Sequence, residues 1–367
     1  MSQHREAPGA AGLPPPDPGA GLPVFRRWRR RFYHGLLLAV AAAVAQAPPA
    51  TGRFLCERLA LAALLGRGRE RRRAEANLAA AWPSLTAAGA QNGTRSATRP
   101  VDEVPGQGGV QEAARRRLVH ASARALGRNL HTALRLEELA RGDYAGVRPV
   151  AGPEGLDAVG RLRELRDEGR GVLLLTGHLG CWELLGAYLA RRLGGLAVVT
   201  GTVHNPAVDA WLQGSRRRLG LTVLPRDRGV RPVLERLRAG EIVAVLLDQN
   251  TRVPSLPVPF LGRPAPTAVG PARLAVRLGS PLLPVAIARC GDAGAAGGSG
   301  AGTRTPGDLH EVHCLQTIRP PCTEEQVPDL LAACNSALAE FVRRNPVEWV
   351  WFHDRWGEDS GAGPERR

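Results

Sequence analysis

From residue 153 onward, short apolar runs alternate with amphipathic stretches. VLLLT (172–176), LAVVTG (196–201), LTVLP, EIVAVLL (241–247) and PLLPVAIAR read as buried strands. CWELLGAYLARRL (181–193), PAVDAWLQGSRRRLG, VRPVLERLRAG and TAVGPARLAVRLG carry helical periodicity between them. Near-continuous apolar strands alternating with helices predict an α/β fold, a mainly parallel sheet flanked by helices. In such sheets the site lies beyond the carboxyl ends of the strands.

The chain ahead of this region is patterned differently. Residues 1–24 are rich in Pro and Gly and read as a disordered tail. FRRWRRRFYHG (25–35) is then followed by LLLAVAAAVAQAPPA, and the stretch from Phe32 to Gly52 carries no permanent charge. Its strongly apolar part, Leu36 to Ala47, falls short of the roughly 20 residues that a transmembrane helix needs. A second apolar stretch, Phe54 to Leu65, is broken by Glu57 and Arg58. More arginine follows (Arg67, Arg69, Arg71, Arg72, Arg73), which favours a retained N-terminal membrane-anchoring or interfacial helix over a cleaved signal peptide. A basic helix over 68–85 is expected to stop at Pro83, with an insertion loop at 86–110 and helix again over 111–141. The resulting division is an anchor at 25–66, a helical segment at 67–150, a catalytic domain at 151–357 with a flexible hairpin at 291–308, and a disordered tail at 358–367.

Charge sharpens this picture. The chain carries +15, from 49 basic and 34 acidic residues, and every basic side chain is arginine. Without lysine there is no Walker A loop, no pyridoxal Schiff base and no lysine nucleophile. An arginine excess suits an anionic membrane surface or nucleic acid, and a GC-rich genome also produces one. Nucleic-acid binding would interleave arginine with stacking aromatics, but the 7 Trp, 3 Tyr and 6 Phe lie mostly away from the arginine clusters. Six cysteines without a CxxC pair suggest a reduced chain on a cytosolic face. His310 and His313 beside Cys314 fall on opposite faces of a strand, so no metal site is expected.

Two strand exits carry candidate chemistry. In LLLTGHLGCWE, His178 and Glu183 would stand roughly 140° apart on one continuous helix. A turn over Gly177–Gly180 with a helix starting near Cys181 would let Glu183 reach back to His178. The carboxylate would then orient the imidazole as a general base, and free N–H groups at the helix start could receive an oxyanion. Trp182, between them, reads as core packing rather than a wall of an acyl groove. In LLDQN, Asp248 is either a buried orienter or a plain turn cap, with Gln249 beside it.

GHLGCWE resembles the HxxxxE/D block of glycerolipid-type acyltransferases, in the form typical of the lipid A biosynthesis (lauroyl/myristoyl) acyltransferase family. RRRAEANLAAAWP, HNPAVDAWLQGSRRRLG, AVLLDQNTRVPSLPVPFLGRPAPTAVGPARLA and NPVEWVWFHDRW are similar to further blocks of that family, in the same order. The resemblance implies acyl transfer from acyl carrier protein to a hydroxyl of a lipid A precursor, at the cytoplasmic face of the inner membrane among membrane lipids. It implies His178 as general base with Glu183 as partner, no metal and no cofactor. Asn205, Arg216, Arg217, Arg218, Asp248, Gln249 and Arg263 become candidate substrate-binding residues. Family members often carry an arginine a few residues before Asn-Pro, where this chain has VVTGTVHNP with Gly201; Arg216, Arg217, Arg218, Arg226 and Arg228 are candidates for its task. The alternatives are an acyltransferase for another glycolipid, such as a phosphatidylinositol mannoside, and a non-catalytic membrane- or nucleic-acid-binding protein.

Overall fold

A computed structural model describes residues 41–91, 108–203, 205–290 and 309–357. Three helices lead: α1 (Pro49–Gly66), α2 (Gly68–Gln91) and α3 (Gly108–Leu134), followed by the short α4 (Leu136–Arg141). The core then runs β1 (Val147–Pro149), α5 (Ala158–Asp167), β2 (Val172–Thr176), α6 (Trp182–Leu193), β3 (Leu196–Thr200), α7 (Pro206–Arg218), β4 (Leu221–Pro225), α8 (Arg231–Arg238) and β5 (Ile242–Leu246). A hairpin of β6 (Ser255–Phe260) and β7 (Arg263–Ala268) precedes α9 (Gly270–Leu278), β8 (Leu282–Arg289), β9 (His310–Cys314) and α10 (Val327–Arg344).

The main sheet has the order β1-β9-β8-β2-β5-β3-β4. From β8 to β4 all neighbours are parallel, while β9 runs antiparallel to β8. The expected α/β sheet is therefore present. Strand alternation explains its two covered faces. Leu173 and Leu175 of β2 pack with Val243, Val245 and Trp349 on one side. Val172 and Leu174 pack with Ile242, Ala244 and Tyr188 on the other. Each fully buried leucine contributes about 1.5–3 kcal/mol of transfer free energy, so neither face tolerates a register slip.

Three sequence expectations change. Helix α2 does not stop at Pro83 but runs through it to Gln91, because Trp82 and Leu85 on either side are buried in the core. The stretch read as a loop from residue 86 is thus helical at both ends, and residues 92–107 lie outside the described residues. SLPVPFLGRPAPTA, rich in proline and assigned no strand from its pattern, forms the β6–β7 hairpin as a separate two-stranded sheet.

The expected anchor falls partly outside the described residues, as does the 291–308 hairpin. Among the described residues no helix is long and apolar enough to cross a membrane. Helix α1 instead packs closely along α3. A Cβ at Gly127 would meet the Cys56 carbonyl oxygen at 2.4 Å, and one at Gly52 would meet His131 Nε2 at 2.6 Å. The opposite side of α1 exposes Phe54, Leu55, Leu59 and Leu65.

Close packing at Gly127 yields a stability prediction. Gly127→Leu forces the two helices apart and is expected to cost about 1–3 kcal/mol or more, read as a lower thermal midpoint. Gly66→Ala, where no atom lies within 4 Å, is the control and should leave the midpoint nearly unchanged.

Candidate active site

Parallel register builds the site. Thr176 of β2 stands level with Leu246 of the neighbouring β5. Two residues beyond each lie His178 and Asp248, so equal overhangs from adjacent strands bring them side by side. His178 Nδ1 is 2.8 Å from Asp248 Oδ1, and the His178 backbone N–H donates to Asp248 Oδ2 at 2.6 Å. The approach depends on Gly177, where a Cβ would lie 2.9 Å from the Asp248 carboxyl carbon. The turn depends on Gly180, at φ +61°, where a Cβ would lie 2.0 Å from the Ile287 carbonyl oxygen.

A third donor comes from the C-terminal end of the chain. Trp349 Nε1–H donates to Asp248 Oδ2 at 2.8 Å, and His353 Nε2–H donates to the Asp248 backbone carbonyl at 3.1 Å. Val350 N–H donates to the His178 carbonyl and Gly180 N–H to the Glu348 carbonyl, stitching residues 348–350 onto the β2 exit. Burial alone pushes the Asp248 carboxyl up, but the charge and hydrogen bond of His178, with His353 and Trp349, hold it well below the ordinary range. Asp248 is therefore an anion near neutral pH. With Asp248 accepting at Nδ1, the proton sits on that nitrogen and His178 Nε2 is the free base. This ring is one-fifth exposed, whereas Asp248 is buried.

Glu183 does not reach His178. It sits in the first turn of α6, accepts from Trp182 Nε1 at 3.1 Å and forms a two-pronged pair with Arg216 of α7. Its side chain runs toward α7, where the guanidinium neutralises it. Trp182 is half-buried rather than a core residue, with its ring edge-on to His178 at 4.9 Å. Glu183 thus acts on the imidazole only through that indole. The N–H groups of His178 and Gly180 are already engaged, whereas at the start of α6, where the oxyanion was expected, Cys181 provides no side-chain cap. Cys181, at the same exit, is buried, and burial pushes its thiol up to about 12; it is no thiolate nucleophile.

The other sequence candidates separate into structural and open positions. Asn205 caps α7, accepting from Ala207 N–H at 3.0 Å. Arg216 is committed to Glu183, Arg218 is paired with Glu137, and Arg217 is exposed. Gln249 is half-buried beside Asp248. Arg263 lies over the Trp356 ring at 5.6 Å, in the C-terminal aromatic cluster. In β9, His310 is buried and His313 faces Glu311 at 3.3 Å. Trp349 and His353 stood in the sequence only within the block NPVEWVWFHDRW, whose rings pack here as an aromatic lock; no spacing rule links them to residue 248.

Titration of His353 gives a test of this packing. Burial drives its imidazole down to about 4, against the upward pull of Asp248. An unfolded histidine titrates near about 6.5, so between these values the unfolded chain binds a proton that the folded chain refuses. Stability is full above that window and falls as pH drops toward 4, by up to roughly 3 kcal/mol from this residue. His353→Gln retains a donor for the Asp248 carbonyl without titrating, and should flatten the acid slope of the thermal midpoint.

Comparison with known proteins gives the family. A family profile described as bacterial lipid A biosynthesis acyltransferase matches residues 108–358. Two similar relatives are phosphatidylinositol mannoside acyltransferases. That of Mycobacterium tuberculosis (strain CDC 1551 / Oshkosh) is 28% identical over 195 residues, 52% of this chain and 56% of the relative. That of Mycolicibacterium smegmatis is 28% identical over 174 residues, 46% of this chain and 55% of the relative. The chain spans about half the length of these curated relatives. With the profile covering most of the described core, from α3 through the Trp349–Trp356 lock, the chain belongs to the bacterial lipid A biosynthesis acyltransferase family.

Proposed function

We propose that this protein transfers a fatty acyl chain from an acyl thioester to a glycolipid hydroxyl, with His178 as general base and Asp248 as its orienting carboxylate. The contact that carries the reading is His178 Nδ1 on Asp248 Oδ1 at two adjacent strand exits. The acceptor hydroxyl donates to His178 Nε2, and its proton passes there as the oxygen attacks the thioester carbonyl. Asp248 stabilises the imidazolium that forms. Collapse of the tetrahedral adduct breaks the C–S bond, and the imidazolium returns the proton to the leaving thiolate. No covalent acyl-enzyme is required.

Glu183 and Arg216 hold Trp182 against His178, a positioning role rather than the direct partnership expected from the HxxxxE spacing. For the acceptor, the curated relatives favour a phosphatidylinositol mannoside and the family profile favours a lipid A precursor. Acyl carrier protein is the donor implied by the family resemblance, and acyl-CoA offers the same thioester. The exposed Phe54, Leu55, Leu59 and Leu65 of α1, with Arg58 among them, support a helix lying in the plane of an anionic membrane surface. In this reading the site faces the cytoplasmic side of the inner membrane.

Purified protein in detergent, offered both acceptors and both donors, should add one acyl mass to a glycolipid by mass spectrometry. His178→Ala and Asp248→Asn are expected to lower kcat by about 10²–10⁴-fold, the range of general-base catalysis. Retained activity in His178→Ala would refute the mechanism. Gly177→Ala displaces the Asp248 carboxylate and should lower kcat with little change in acceptor KM.

A further inference from the structure

Several arginines elsewhere in the described structure are paired. Arg161 meets Glu154, Arg192 meets Asp143, Arg236 meets Glu241 and Arg319 meets Glu168. The carboxyl edge beside the His178–Asp248 pair is different. Arg226 and Arg228 leave the end of β4, and Arg252 follows β5. All three are exposed, and none makes an ion pair or side-chain hydrogen bond with a described residue. Strands β4 and β5 flank β3, so these loops border the β3 exit at Gly201–Val203. Of the nearby carboxylates, Asp209 accepts from the Val203 N–H, and Asp227 between Arg226 and Arg228 leaves that loop net positive.

Arg226 is the best placed of the three. Its guanidinium lies against Gly201, where a Cβ would stand 3.3 Å from Nη2 and 3.6 Å from Cζ. Bare backbone at Gly201 therefore makes the room that the guanidinium uses. Register sets its distance from the chemistry. Thr200 is level with Pro225, and β2, β5, β3 and β4 are successive neighbours. Three strand spacings give about 14 Å between the β2 and β4 exits. That is the reach of a headgroup sugar or two, so a group held at Arg226 belongs to the same substrate molecule but not to the reacting atoms.

We infer that Arg226, supported by Arg228 and Arg252, binds a phosphate ester carried by a substrate and so selects which molecules present themselves to His178. The inference rests on the acyl-transfer reading above. A guanidinium fork with no protein partner matches a phosphate bidentately, and the paired arginines elsewhere are unavailable for that task. Two substrates carry such a group: the phosphodiester of a glycolipid acceptor, and the phosphates of a pantetheine-type thioester donor.

The test crosses two acceptors with two donors. The acceptors are a phosphatidylinositol mannoside and a mannosyl diacylglycerol without phosphate; the donors are an acyl-CoA and the matching N-acetylcysteamine thioester, also without phosphate. Arg226→Ala should raise KM about tenfold for one phosphate-bearing substrate, leave kcat at saturation nearly unchanged, and not affect the phosphate-free counterpart. Arg226→Lys should recover part of the loss. Gly201→Leu, which displaces the guanidinium without removing it, should reproduce the Arg226→Ala pattern. A penalty that follows the acceptor assigns the acceptor phosphodiester, and one that follows the donor assigns the donor phosphate. An equal penalty in all four combinations, or none in any, overturns the inference. If wild type transfers no acyl group, the catalytic reading fails by itself. Titrating both glycolipids and free coenzyme A into wild type and Arg226→Ala then still decides the matter: a phosphate-dependent affinity lost in the variant upholds it, and equal affinities overturn it.

Discussion

A buried carboxylate without compensation would cost several kcal/mol, and Asp248 escapes that cost through donors gathered from distant parts of the chain. His178 supplies its backbone N–H and Nδ1–H, and Trp349 supplies its indole N–H. Each donor requires its own element to be in place. The β2 exit must turn at Gly177 and Gly180, and the C-terminal segment must lie across it. The charge that holds His178 in one tautomer therefore also obliges the sheet and the C-terminal segment to meet.

That C-terminal segment is secured by a second polar centre. Arg355 is fully buried; it donates to the Pro266 carbonyl, to Thr267 Oγ1 at 3.0 Å and to Asn335 Oδ1 at 3.2 Å, with its guanidinium over Phe260. Burial pulls this arginine down to about 10, which leaves it charged near neutral pH. The β6–β7 hairpin, α10 and the Trp-rich segment are thereby joined around one cation. Trp349 and Trp351 pack at right angles with centroids 4.6 Å apart, so the indole that serves Asp248 has little freedom to move. Support for the site thus comes from a hairpin and a helix that contribute no reacting group.

Much of the sheet was legible because its strands are short, apolar and separated by amphipathic helices. His178 was legible too, at the end of VLLLT and within a recognisable block. Its partner was only half legible. Asp248 stood at a strand exit with two readings open, and deciding between them required knowing that β5 lies next to β2 in equal register. Chain order does not reveal that neighbour, since β3 and β4 come between. Proximity in sequence favoured Glu183, but Arg216 takes that carboxylate away, and the pairing depends on how α7 lies against α6. Pro83 misled for a similar reason: local propensity ends a helix there, while burial of Trp82 and Leu85 sustains it.

Hydrophobic periodicity determined the α/β class and the strand exits where chemistry could sit, and composition alone excluded any lysine-dependent mechanism. These follow from residue type and spacing, which are properties of the chain. Only the tertiary structure decided which carboxylate holds His178, which arginines are neutralised, and which stand open at the carboxyl edge. Those outcomes depend on strand order and helix placement, and hydrogen bonds and ion pairs act over a few ångströms between residues that the sequence leaves far apart.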